Sequence, residues 1–124
     1  MTFNKIGLGL ALSLCLTLPL AAAPAKKGKA AKPARLSASE MTAIEAKMKA
    51  TDCFTCHQVK NKVVGPAYKD VAKKYKGDAK AVDTLVLKIK NGGSGNWGQV
   101  PMAGHPNLSD EDLKLMVRWV LAQK

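Results

Sequence analysis

The sequence is poor in residues that cross-link a fold or bind metals, with three cysteines and two histidines in 124 residues. This scarcity excludes a disulfide-dense scaffold and an array of several cofactors. Acidic residues are also few, 9 against 20 Lys and Arg, and the net charge of +11 excludes an acidic disordered chain. The length excludes a large multidomain enzyme. A charge this positive first suggests a nucleic-acid binder or a membrane-surface protein.

Apolar residues are concentrated near the N-terminus. A nearly unbroken apolar run extends from Ile6 to Leu20, with Lys5 before it and small residues at 21–25. A charged start, a short apolar run and an A-x-A-like end are typical of a secretory signal peptide. An uncleaved membrane anchor is the alternative, but the run is short for a bilayer span of roughly 20 residues. We therefore predict that residues 1–25 form a signal peptide and that the protein is exported.

Much of the positive charge lies in a short segment behind this peptide. Lys26 to Arg35 contains five basic residues in ten, no acidic or aromatic residue and no apolar periodicity. We expect residues 26–36 to be a basic disordered tether, because such composition buries too little to fold. From Leu36 onward the chain has 14 basic and 9 acidic residues, a net charge of +5. The charge of the remaining domain, 37–124, therefore gives little support for nucleic-acid binding.

Four stretches of this domain have helical spacing of apolar residues, and none alternates as a strand. The expected helices begin at Ser37 or Ser39, follow Gly65-Pro66 as far as Gly77, span 79–90, and begin at Ser109. The sequence thus predicts an all-α domain of about four helices. Its connections at 57–65 and 91–108 are long for so small a domain, which is typical of loops wrapped around a bound group.

The pentapeptide Cys53-Phe54-Thr55-Cys56-His57 is the sharpest chemical signal. C-x-x-C-H is the attachment motif of c-type haem. On a helical turn, Cys53 and Cys56 share a face and can present both sulfurs to one porphyrin edge. His57 is rotated about 100° further and can supply an imidazole to the iron. We predict one covalent haem c.

Other roles for this motif fit less well. A zinc site would need Cys53, Cys56, His57 and His105 together, and adjacent residues are awkward ligands for one ion. A thioredoxin-like site would accompany a βαβ pattern, which is absent from the sequence. A disulfide between the two cysteines would close a very short, strained loop.

A haem iron in an electron carrier needs a second axial ligand, and Met102 is the strongest candidate. It follows Pro101 in a long connection, and a thioether ligand raises the reduction potential. His105, three residues on, is the competing candidate. The other methionines of the domain fall on inner helix faces and are expected in the core: Met41, Met48 and Met116.

Residues 39–124 resemble the short class I bacterial cytochromes c of the periplasmic five-fifty-one type. The resemblance rests on segments in the family's order: 53–57, 64–72 (VGPAYKDVA), 89–92 (IKNG), 97–98 (WG), 100–102 (VPM) and 119–121 (WVL). It implies the class I cytochrome c fold, with about four helices wrapped around one covalent haem.

The resemblance also implies roles for individual residues. Pro66 would accept a hydrogen bond from the outer nitrogen of His57, and the Trp97 indole would donate to a haem propionate. Lys88 stands where the family often has an arginine near a propionate. Residues implied to pack the core are Tyr68, Tyr75 and Trp119. One departure follows Met102: the family commonly has an asparagine three residues on, whereas Asn107 is five residues on.

The function implied is one-electron transfer by a periplasmic, monomeric carrier that is not an enzyme. The expected partners are redox proteins with acidic docking surfaces. A cytochrome bc-type complex or another donor would supply electrons, and a nitrite reductase, oxidase or peroxidase would accept them. Lysines near the haem edge, among them Lys60, Lys62 and Lys69, would steer these partners. No nucleic-acid partner is expected. Membrane contact is expected only if the signal segment stays uncleaved. A basic polyanion-binding protein and a small haem peroxidase are the alternatives.

Overall fold

The computed structural model describes residues 35–124. The predicted signal peptide and residues 26–34 of the predicted tether lie outside this range. Five helices and one hairpin make up the described part, in the order α1 Ala38–Ala50, α2 Cys53–Cys56, α3 Tyr68–Lys74, α4 Ala81–Asn91, β1 Gly93–Gly95, β2 Gly98–Met102 and α5 Asp110–Leu121. No helix of residues 35–124 is long and apolar enough to cross a membrane.

The C-terminal helix α5 is the centre of the domain, because α1, α3 and α4 all pack against it. Its apolar stripe supplies the four largest fully buried side chains, Leu113, Met116, Val117 and Trp119. The other helices contribute core residues at the positions that their spacing predicts, including Ile44, Met48, Tyr68, Val71, Leu85 and Val86. The predicted helical core is confirmed, and the core positions of Met48 and Met116 with it.

Capping residues fix where the first helix, α1, and the last helix, α5, begin. Ser37, rather than Ser39, is the N-cap of α1, and it exchanges hydrogen bonds with Glu40 in a complete capping box. Ser109 caps α5 by accepting a hydrogen bond from the main-chain N–H of Asp112. The helix starts expected at Ser37 and at Ser109 are therefore confirmed.

The long connection at 91–108 contains a small antiparallel hairpin, which the search for alternating residues did not predict. Gly93 pairs with Met102, and Gly95 pairs with Gly98. Nearly every residue of both strands is exposed. A strand with no buried face has no alternation of apolar and polar residues, so the pattern carried no signal. The mostly helical class I architecture is otherwise as expected, with α2 as an additional single turn.

Candidate haem-attachment site

The two cysteines lie on α2, a separate helical turn directly after α1. Asp52, between the helices, has a left-handed backbone (φ 60°), and its C=O accepts the N–H of Thr55 at 3.0 Å. Asp tolerates this region better than most residues, so a sharp change of direction is possible here without glycine. Cys53 is half-buried and Cys56 is exposed, and neither is in a disulfide. The expected i, i+3 arrangement is present, and the disulfide alternative is not.

His57 leaves α2 in an extended conformation, with φ −125° and ψ 149°. Its Nδ1 lies 2.8 Å from the main-chain oxygen of Pro66. A carbonyl only accepts, so Nδ1 carries the proton and donates, and Nε2 keeps its lone pair. Nε2 has no hydrogen-bond partner within residues 35–124. Such a bond fixes the ring and the tautomer of metal-bound histidines.

Gly65 packs directly against the His57 ring, without room for a side chain. A Cβ at this position would lie 2.3 Å from Cε1 of His57 and 2.8 Å from both ring nitrogens. The Gly65 N–H also donates to the Cys56 carbonyl at 2.8 Å, so the loop is tied back to the motif. Sequence reasoning used Gly65 as a helix boundary and as part of the resembling segment 64–72, assigned the carbonyl role to Pro66, and missed this contact of Gly65. The separation of eight residues from His57 gave no signal for it.

An aromatic cluster surrounds the other side of the motif. The ring of Tyr68 stacks on that of His57 at 5.3 Å and 17° between planes. Phe54 and Trp119 each meet Tyr68 edge to face at 5.5 Å. Burial, with a smaller contribution from the nearby cysteine thiols, raises the pKa of Tyr68 and keeps it neutral. Phe54, which the motif treats as a variable position, thus belongs to the core beside the histidine.

Met102 ends the exposed hairpin, opposite Gly93, and is half-buried. The backbone around it is closely packed. A Cβ on Gly92 would lie 2.4 Å from the Met102 carbonyl oxygen, and a Cβ on Gly104 would lie 2.8 Å from the Lys90 carbonyl oxygen. Because these two glycines have no side chain, the main chain at the end of α4 and the main chain after Met102 can pack in direct contact. The main chain at Met102 is therefore packed closely against the end of α4.

The remaining candidates lie around this hairpin and loop. Trp97, at the hairpin tip, is 37% exposed, and Nζ of Lys88 approaches the position of a Cβ on Gly93 to 3.4 Å. His105 donates its main-chain N–H to the Ile89 carbonyl at 2.9 Å. His105 and Asn107 line a surface pocket of about 260 Å³ together with Thr51, Asp52 and other residues of the 104–108 loop.

No group of three or more His, Cys, Asp or Glu side chains within residues 35–124 is arranged to hold a metal ion. The four-residue zinc alternative is therefore not assembled. The arrangement fits a c-type haem instead, since it offers two thiols on one turn, an imidazole with Nε2 available and a glycine packed against the ring. Of the expected site residues, the structure brings together Cys53, Cys56, His57 and Pro66. Trp97 and Met102 lie together on the 93–102 hairpin.

Comparison with known proteins gives a consistent result. The cytochrome c family model matches residues 45–124. Cytochrome c-551 of Allochromatium vinosum is 55% identical over 69 residues, which are 56% of this chain and 73% of the relative. Cytochrome c-551 of Azotobacter vinelandii is 49% identical over 76 residues, 61% of this chain and 92% of the relative.

The crystal structure of Nitrosomonas europaea cytochrome c552 superposes with a TM-score of 0.62 and 48% identity. It covers 64% of this chain and 99% of that protein. The chain belongs to the cytochrome c family, as a class I c-type cytochrome of the c-551 type.

Proposed function

We propose that this protein is a periplasmic one-electron carrier in which Cys53 and Cys56 hold a single haem c and His57 and Met102 are the axial ligands of its iron. Family membership already makes it a small c-type cytochrome with a covalent haem and redox partner proteins. The proposal adds the ligand set, the location and the partners. The observation that carries it is the 2.8 Å contact between His57 Nδ1 and the Pro66 carbonyl, which leaves Nε2 available for iron.

Met102 is preferred to His105 as the second ligand because the surroundings of the two residues differ. Met102 is half-buried at the base of a hairpin whose backbone is held against the end of α4 by the two close glycine contacts. The ring of His105 lines an open surface pocket beside Asp52. Both residues are half-buried, so burial does not separate them. An apolar thioether suits an apolar haem pocket, whereas an imidazole beside a carboxylate and open to solvent is readily solvated.

A protein with two axial ligands serves electron transfer rather than catalysis. When bound, the haem supplies an iron that alternates between ferric and ferrous states. The chain's own residues keep the ligand geometry constant between these states. The Pro66 carbonyl holds the His57 ring, and neutral Tyr68 packs against it without adding a charge. With both positions filled, no site remains for oxygen or a peroxide, which disfavours the peroxidase alternative.

The surface near the motif suits transient docking of redox partners. Val63 and Val64 are 48% and 51% exposed, and Lys60 and Lys62 beside them are exposed as well. Lys69, on α3, is half-buried. An apolar patch with a basic edge favours partners with an acidic rim, and charge of this kind speeds encounter at low salt.

These features support partners with acidic docking surfaces, and the identity of the donor and acceptors rests on the family resemblance. The donor would be a cytochrome bc-type complex or similar protein, and the acceptor a nitrite reductase, oxidase or peroxidase. The carrier would act as a monomer in the periplasm, to which the predicted signal peptide directs it.

Visible spectra of both redox states, with and without carbon monoxide, test the ligand assignment. The wild-type protein should keep haem after denaturing electrophoresis, give a low-spin spectrum and bind no carbon monoxide. Met102→Ala should become high-spin in the ferric state and bind carbon monoxide when reduced, whereas His105→Ala should resemble the wild type. If the two variants exchange these behaviours, His105 is the ligand. Loss of haem on denaturation would disprove covalent attachment.

A further inference from the structure

The segment that carries both Trp97 and Met102 is supported less than the rest of the domain. We call residues 93–102 the Met102 hairpin. Its two strands pack mainly on each other, and nearly all of its residues are exposed. Three of its glycines, Gly93, Gly95 and Gly98, have positive φ values. An isolated two-stranded hairpin is only marginally stable in water, so contacts with the helices must hold this one in place.

The base of the hairpin has such contacts through its backbone. Gly92 and Gly104 allow the close main-chain contact described above, and the His105 N–H donates to the Ile89 carbonyl. These contacts lie at the end where Met102 pairs with Gly93. They leave the opposite end, around Asn96 and Trp97, without main-chain support from a helix.

Within the described part of the chain, the polar side-chain contacts between a helix and that opposite end come from one lysine. Lys74, in the last turn of α3, donates from Nζ to the Asn96 carbonyl oxygen at 3.0 Å. The same ammonium lies 4.5 Å from the centre of the Trp97 ring. Within residues 35–124, no other side-chain hydrogen bond joins the Met102 hairpin to a helix. One charged group thus makes a charge-assisted hydrogen bond and a cation–π contact with adjacent residues.

We propose that Lys74 is a positioning residue for Met102, because it holds the tip of the hairpin against α3 and so keeps the hairpin closed. A hairpin fixed only at its base can hinge about its glycines, and any outward movement of β2 pulls on the residue at its end. With both ends held, Met102 stays where its sulfur can reach the iron. This role rests on the proposed ligation by Met102, whereas the contact between Lys74 and the hairpin does not.

Two measurements on the haem-containing protein separate the contact from its consequence. Native-state hydrogen exchange of amides in 95–102 reports opening of the hairpin. Titration of the ferric protein with imidazole, followed by visible absorption, reports how readily the second axial position is vacated. The variants are Lys74→Met, Lys74→Arg as the conservative rescue, and Lys73→Met as the control. Lys73 is an exposed neighbour in the same helical turn, so its loss removes the same charge without touching the hairpin.

We expect Lys74→Met to raise both hairpin exchange and imidazole affinity by roughly fivefold, the size of an exposed cation–π contact and part of a hydrogen bond. Lys73→Met should change neither, and Lys74→Arg should restore most of the wild-type behaviour. Equal hairpin exchange rates in Lys74→Met and Lys73→Met would show that Lys74 does not hold the hairpin tip. Faster exchange in Lys74→Met with unchanged imidazole affinity would show that Lys74 holds the tip but does not position Met102. Tight imidazole binding already in the wild type would refute ligation by Met102, and exchange would still decide the contact.

Discussion

Replacing Gly65 with alanine tests how strictly the fold controls His57, the proposed histidine ligand. The new Cβ would lie 2.3 Å from Cε1 of His57. Nonbonded carbon atoms normally approach to about 3.5–4.0 Å, so one group must move by more than about 1 Å. The Gly65 backbone is tied to the Cys56 carbonyl at 2.8 Å and is followed by Pro66, so the imidazole is the group that yields.

Movement of the ring breaks its hydrogen bond with the Pro66 carbonyl. Loss of that bond costs about 1 kcal/mol of stability. Loss of such an outer contact typically lowers metal affinity by about 10- to 100-fold, or about 1.4–2.8 kcal/mol. An imidazole whose Nδ1–H is no longer hydrogen-bonded is a weaker donor and stabilises ferric iron less. Gly65→Ala should therefore raise the reduction potential and lower the thermal stability.

Electrochemistry and thermal unfolding of the haem-containing protein measure both effects. Gly77→Ala is the matched control, because a Cβ there meets nothing within 4 Å although φ is +82°. The free energy of unfolding of Gly77→Ala should fall by roughly 1 kcal/mol because of backbone strain, and its reduction potential should equal that of the wild type. If Gly65→Ala retains the wild-type potential, or shifts it no more than Gly77→Ala, the His57 ring does not depend on this glycine.

Two further predictions concern the helix ends. Ser37→Ala removes the capping box of α1 and should cost about 1 kcal/mol in thermal unfolding, more than Ser39→Ala; equal losses would contradict the assigned cap. The hydrogen bonds from Lys47 at 2.5 Å and from Ser109 lower the pKa of Asp112 in the folded protein. Because the unfolded value is about 3.9, this contribution is complete above pH 4 and is lost as the pH falls through the lower folded value. Asp112→Asn should therefore be less stable than the wild type at pH 7, and the difference should shrink below pH 4; a constant difference would contradict the ion pair.

Sequence reasoning succeeded where a feature has a readable pattern of residues along the chain, and failed where it has none. The helix around Leu113 and Met116 was predictable because its apolar stripe runs over three turns and its cap precedes it. The hairpin from Gly93 to Met102 was not, because its exposed strands have no pattern to read. Prediction of the cysteine pair needed only the i, i+3 geometry of one turn. The zinc alternative could be dismissed only once the structure showed that its four residues do not form one cluster.

By itself, the sequence determined the chemistry of attachment and the helical class of the domain, because both depend on spacings of a few residues along the chain. The proposed axial role of His57 also rests on the motif. Only the tertiary structure decided how that ligand is held, since Gly65 and Tyr68 approach it from separate loop and helix positions. It likewise showed that Lys74 lies against Trp97, 23 positions further along the chain. No local pattern encodes contacts of this kind, because they arise when α3 and the hairpin come together in the folded domain.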